Sequence, residues 1–190
     1  VVEALSRSQA MIHFDPRGTI LDANANFCAA LGYDLSEIIG RHHSMFVDPV
    51  GRNTHGDLGI WSDAHVAGLR RIVDFLHAQK TLAAAQLHHS GPKSGRRRPW
   101  HGFGPLDESD AARGEPPWQA HSSTAHATTQ GWRAPHAMTI PEIRTLLEAY
   151  GQGARRAAEA GFDVLDIHAA HGYLILQFLS PLANRRDDTY

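Results

Sequence analysis

The segment Ile167-His168-Ala169-Ala170-His171-Gly172-Tyr173 gathers the most suggestive reactive side chains in the chain. His168 and His171 stand three residues apart. At a strand end, two imidazoles at this spacing could converge on one small target. They could donate two hydrogen bonds to a substrate oxygen and stabilise negative charge as it develops there. Tyr173 adds a phenol, a proton donor with an ordinary pKa of about 10. Spacing alone leaves two other readings open. In one, the histidines are strand-end residues bonded to backbone and Tyr173 packs in the core. In the other, both histidines bind a metal with a carboxylate such as Asp166, but H-x-x-H lacks the glutamate and the i, i+4 spacing of the helical zinc motif.

A second candidate is Gln86 in AAQLHHSG, near the end of the preceding strand. A glutamine offers a donor and an acceptor to a planar heterocycle. The alternative is an ordinary loop-anchoring residue. His88 and His89 are undecided on sequence alone. Lys93 and Arg96–Arg98 could meet an anion, but short basic runs are usually solvated, and that is the expectation here.

These residues need elements to hold them. FDVLDI (162–167) reads as a strand that ends at His168. The preceding helix starts at a capping box, Thr139 with Glu142, and accepts Pro141 in its first turn. It runs through Ile143, Leu146, Leu147 and Tyr150 to Ala160, with Gly161 as C-cap. TLAAAQL (81–87) suits a buried strand. Before it, Ser62 or Asp63 caps a helix over 63–79, with Val66, Leu69, Ile72, Val73 and Leu76 on its apolar face. Residues 88–138 lack periodicity, and a connection of that length is usually a functional loop or disordered. The order helix, strand, long loop, helix, strand predicts a parallel sheet, with ligands at the C-terminal strand ends.

The first 46 residues have a different character. MIHF, the turn Asp15-Pro16-Arg17-Gly18 and Thr19-Ile20-Leu21 predict a hairpin. Asn24 is a candidate N-cap for a helix ending at Gly32, and Ser36 opens a short helix stopped by Gly40. Residues 47–60, with Pro49, Gly51, Gly56 and Gly59, read as a loop or linker.

Composition narrows the function. The chain has 190 residues, enough for one domain or two small ones. Lys and Arg total 18 against 20 Asp and Glu, so phosphate-neutralising nucleic-acid binding is not expected. No apolar run approaches the roughly 20 residues of a membrane span, and no secretory signal is evident. The single cysteine, Cys28, excludes an internal disulfide and a thiolate zinc cage and suits a reducing, cytoplasmic setting. The 14 histidines are mostly scattered, His42–His43 being one of the few close pairs.

GDLGIWSDAHVAGLRRIVDFLHAQ, AAQLHHSGPKS and AGFDVLDIHAAHGYLILQFLSPLANRRDDTY resemble the old yellow enzyme family of FMN-dependent NADH:flavin oxidoreductases. The resemblance covers about 47–190. It implies an α/β fold, the strand 2–4 region of a (β/α)8 TIM barrel. It implies FMN as cofactor, NAD(P)H as reductant, and hydride transfer to an α,β-unsaturated carbonyl compound. By position, His168 and His171 resemble the pair that binds the carbonyl oxygen, Tyr173 the proton donor, and Gln86 the glutamine that bonds the flavin pyrimidine edge. The family pattern H-A-G-R-K is His89-Ser90-Gly91-Pro92-Lys93 here, so Pro92 replaces an arginine. A half-barrel is expected to bind FMN poorly alone.

F-D-P-R-G-T-I-L-D-A-N and L-G-Y-D-L-S-E-I-I-G-R instead resemble the N-terminal half of an α+β PAS sensor domain. The expected organisation is therefore a PAS-like segment over 1–48 and a partial barrel over 49–190, meeting near Val47-Asp48-Pro49. The expected partners are a small enone-type molecule and other copies of the chain in a homo-oligomer. The competing readings are a sensory module, a metal-dependent hydrolase using both histidines, and a non-functional chimera.

Overall fold

The computed structural model describes residues 12–14, 20–26, 28, 45–127 and 131–190. The turn at 15–18, the helix opened by Ser36 and the His42–His43 pair lie outside the described residues. Strands β1 (Ile12–Phe14) and β2 (Ile20–Ala23) pair antiparallel, as the hairpin reading expects. Cys28 N–H donates to Asn24 O at 3.1 Å, a first helical turn at the expected cap.

The structure that positions the chemistry is a three-stranded parallel sheet. Its order is β3 (Met45–Phe46), β4 (Ala84–His88) and β7 (Val164–Ile167). Helix α1 (Val66–Ala78) connects β3 to β4, and α2 (Ile140–Ala160) precedes β7. Between them lie the short parallel strands β5 (His121–Ser122) and β6 (His136–Ala137). The six-residue helix α3 (Leu174–Leu179) follows β7.

Side chains alternate across a strand, so register decides what each face carries. Ala85 pairs with Leu165, and Leu87 with both Met45 and Ile167. Ala85, Leu87 and Met45 face the helices, in a core with Ile143, Leu146, Ala157 and Ala160 of α2 and Val66 and Leu69 of α1. Gly153 lets α2 lie close, since a Cβ there would sit 3.0 Å from Val47 Cγ1. The opposite face carries Phe46, Gln86, His88, Asp166 and His168. On β7 the helix-side residues are uncovered, with Leu165 42% and Ile167 53% exposed.

Several sequence expectations shift. The strand placed at 81–87 lies at Ala84–His88, and Leu82 is exposed. Ser62 does cap, but the turn it opens is a tighter helix over Asp63–His65, and the α-helix starts at Val66. The Thr139–Glu142 capping box and the left-handed Gly161 form as expected, whereas Leu147 points to solvent. Met45–Phe46 lies N-terminal to the expected boundary, yet it is hydrogen-bonded into the sheet.

The described part of the long connection 88–138 is built rather than irregular. Trp118 Nε1–H donates to Val50 O at 2.9 Å, and Arg52 lies over both Trp61 and Trp118. The basic run is not a solvated surface. Arg97 pairs with Asp107 and the buried Asp110, and Arg98 with the buried Glu115. These carboxylates supply what the charge run alone does not reveal.

The end of β4 is joined to α3 by backbone. Leu174 N–H donates to His89 O at 3.1 Å. Gly91, at φ +60°, passes so close that a Cβ would sit 2.8 Å from the Leu174 backbone. Gly91→Ala therefore meets both a disfavoured backbone conformation and a clash. Urea unfolding should show a loss of at least about 1 kcal/mol, and an unchanged midpoint would refute the close approach.

His89 beside it is fully buried, and its Nδ1 accepts Gly91 N–H at 3.0 Å. Burial, reinforced by nearby His121, pushes its pKa from 6.5 down to about 3. The unfolded chain therefore binds the extra proton first. Stability is complete above about pH 6.5 and declines toward pH 3, by up to about 1.4 kcal/mol per pH unit from this group. Urea unfolding at pH 7, 6 and 5 should show that slope, and His89→Gln should flatten it. Parallel profiles would contradict the burial.

Candidate functional site

The candidate site lies where β4 and β7 end. His168 extends the β7 ladder, its N–H donating to Leu87 O at 2.9 Å. The chain then turns back through Ala169–Gly172, closed by Tyr173 N–H to Ala170 O at 3.0 Å. His171 takes the left-handed conformation, φ +55°, followed by Gly172 at +70°. A non-glycine residue there is uncommon and needs support from its surroundings. Lys93 provides it: its Nζ donates to His171 O at 2.7 Å and lies 5.7 Å from the Tyr173 ring centre.

This turn brings the three expected residues together. Ring centres are 4.9 Å apart for His168 and His171, 5.1 Å for His168 and Tyr173, and 6.1 Å for His171 and Tyr173. All three pairs are edge-to-face, the favourable arrangement for aromatic quadrupoles. His168 and Tyr173 are half-buried and His171 is exposed.

The hydrogen bonding fixes what the imidazoles can donate. Ala170 N–H donates to His168 Nδ1 at 3.3 Å. A neutral His168 then carries its proton on Nε2, which lies 3.1 Å from His171 Nδ1. That bond makes His171 Nδ1 the acceptor and puts the proton of neutral His171 on Nε2. As arranged here, the pair donates to itself. Only the His171 Nε2–H is not committed within it, rather than the two outward donors that spacing suggested. Presenting both requires the mutual bond to open.

Gln86 stands on the same sheet face, two residues before His88. Its Nε2–H donates to Asp166 at 2.5 Å, its register partner on β7. Asp166 is therefore engaged as an acceptor. Among the described residues, no three His, Cys, Asp or Glu side chains are grouped to hold a metal ion.

Two neighbours of these residues carry no assignment from sequence alone, which groups Lys93 with the basic loop and leaves His88 undecided. His88 is fully buried and contacts Tyr173, His168 and Phe46, with ring centres 4.3, 4.8 and 4.7 Å away. The available signal was parity: His88 shares its strand face with Gln86.

Comparison with known proteins agrees with this architecture. The sequence matches the description "NADH:flavin oxidoreductase / NADH oxidase family" over residues 16–190, overlapping the segment read as PAS-like. It is 42% identical over 144 residues to the NADPH dehydrogenase of Halalkalibacterium halodurans, covering 76% of this chain and 36% of that protein. The NADPH dehydrogenase of Geobacillus thermodenitrificans is 40% identical with the same coverage. Among solved structures, morphinone reductase superposes with a TM-score of 0.62 at 28% identity, covering 79% of this chain and 40% of that one. The old yellow enzyme homologue of Zymomonas mobilis gives 0.61 at 29% identity, covering 78% and 39%. The chain spans little more than a third of the length of the curated relatives it matches. The parallel strands are thus part of a barrel, and the chain belongs to the NADH:flavin oxidoreductase / NADH oxidase family.

Proposed function

We propose that this chain carries the substrate-binding and proton-donating part of an FMN-dependent ene-reductase that uses NAD(P)H to reduce α,β-unsaturated carbonyl compounds. The observation that carries the reading is the convergence of His168, His171 and Tyr173 beyond the ends of β4 and β7. Membership of the family supports it.

The residues present fit the ring end of a flavin. Gln86 is half-buried on the polar face, is oriented by Asp166, and offers the donor and acceptor that a pyrimidine edge requires. Pro92, where the family pattern has arginine, is fully buried and supplies no charge. FMN, when bound, supplies hydride to the alkene β-carbon. The chain's own residues deal with the charge and the proton. The substrate carbonyl oxygen accepts from His171 Nε2–H. As that oxygen enters, His168 Nε2–H turns from His171 Nδ1 to the oxygen, so two donors stabilise the enolate. The Tyr173 hydroxyl protonates the α-carbon.

The same reading assigns a cytoplasmic, homo-oligomeric protein acting on small molecules. For residues 1–48 a PAS-like segment rests on the quoted motifs alone, beside a family match that already begins at residue 16.

The phenolate of 4-nitrophenol imitates an enolate, an anionic oxygen on an sp² carbon. Titrated into the full chain, it should shift the His168 and His171 ring resonances. His168→Ala should weaken binding about tenfold, the scale of one charge-assisted hydrogen bond. An unchanged affinity would contradict the assignment. With the complementing barrel strands supplied by a second chain and FMN bound, Tyr173→Phe should slow enone reduction by about tenfold or more and leave flavin reduction by NADPH unchanged. Equal loss in both half-reactions would count against Tyr173 as proton donor.

A further inference from the structure

His88 is wholly buried at the centre of the site, although the proposed chemistry gives it no step. Its Nε2 lies 3.1 Å from Ser90 Oγ, and Ser90 Oγ donates to Asn53 Oδ1 at 2.8 Å. All three residues are buried. The direction of this chain follows from what each atom can do. Asn53 Oδ1 can only accept, so it takes the single hydroxyl proton of Ser90. Ser90 Oγ is left with lone pairs and must accept from His88. His88 is thereby fixed as the Nε2–H tautomer, and its ring plane is fixed with it.

That ring is the wall against which the reacting groups rest. Tyr173 packs on it at 86°, with centres 4.3 Å apart. His168 lies 4.8 Å away, and Phe46 holds the remaining side at 4.7 Å. Asn53 is in turn held by backbone, its carbonyl accepting Arg96 N–H at 2.7 Å. A rotation of His88 would displace the Tyr173 phenol and the His168 imidazole together. Positioning of this kind matters because small misplacements of reacting groups cost large factors in rate.

We propose that Asn53, Ser90 and His88 form a positioning relay that locks the His88 ring and thereby aligns His168 and Tyr173 on one substrate. His88 acts through these two residues and is not itself a catalytic residue. The proposal rests on the reading of His168 and His171 as the oxygen-binding pair, and its test separates the two.

The experiment uses the full chain with ¹⁵N-labelled histidine, and 4-nitrophenol as the probe. Long-range ¹H–¹⁵N spectra above pH 7 should show His88 as a pure Nε2–H tautomer. Ser90→Ala should give a mixture of tautomers and weaken 4-nitrophenol binding by about threefold to tenfold, the worth of one buried hydrogen bond. Ser90→Thr, which keeps the hydroxyl, should restore both readings. A purely structural role would lower the unfolding midpoint of Ser90→Ala while leaving its tautomer and its phenolate affinity untouched, and that result overturns the relay. An Nδ1–H tautomer in the unmodified chain overturns it too. If the unmodified chain does not respond to 4-nitrophenol, the oxygen-binding reading and the alignment role fall together, even with His88 locked as Nε2–H.

Discussion

The in-register parallel pairing of Ala84–His88 with Val164–Ile167 is the constraint from which the rest follows. It places Ala85 and Leu87 under the helices and turns Gln86 and His88 to the other face, beside Asp166 and His168. A slip of β4 by one residue would exchange its faces, turning Gln86 toward the aliphatic core and sending Leu87 to the site. Burial of Leu87 and Ala85 against α2 therefore fixes the direction of His88 and His168 as firmly as any contact they make themselves. The close approach allowed by Gly153 belongs to the same device, because it brings the α2 backbone down onto Val47, Ile60 and Leu87.

Beyond the strands, the site depends on how hydrogen bonds are directed. Ala170, His168 and His171 form one run of donors and acceptors. Asn53, Ser90 and His88 form a second, which meets the first where the His88 and His168 rings touch. Lys93 secures the left-handed turn at His171 from outside. In the proposed function, the bond between the two imidazoles is a latch. It keeps both rings oriented until a substrate oxygen competes for the same proton. Opening it exchanges one hydrogen bond for a charge-assisted one, which is favourable only when charge develops on that oxygen.

Much of this was legible in the sequence. The capping box at Thr139 and Glu142, the stop at Gly161 and the strand before His168 follow from local rules. The closeness of His168, His171 and Tyr173 is one of the readings their spacing leaves open, and the family resemblance is what favours it. What local rules do not reveal depends on distant partners. The three arginines at 96–98 look like a solvated run until Asp107, Asp110 and Glu115 fold back on two of them. Lys93 looks like part of that run until a turn 78 residues away presents its carbonyl. The mutual bond of His168 and His171 depends on a left-handed backbone at His171 that no residue type announces. Leu165 and Ile167, apolar as a buried strand demands, are uncovered, in keeping with a chain that matches only part of the barrel of its relatives.

The register of β4 and β7 is tested most directly by a double-mutant cycle on Gln86 and Asp166, whose side chains meet only if the strands pair as described. Unfolding free energies of the unmodified chain, Gln86→Ala, Asp166→Ala and the double variant give the coupling. The account predicts roughly 0.5–1.5 kcal/mol of coupling between the two positions. Effects that add to within about 0.3 kcal/mol would contradict the pairing, and with it the polar face on which His88 and His168 stand.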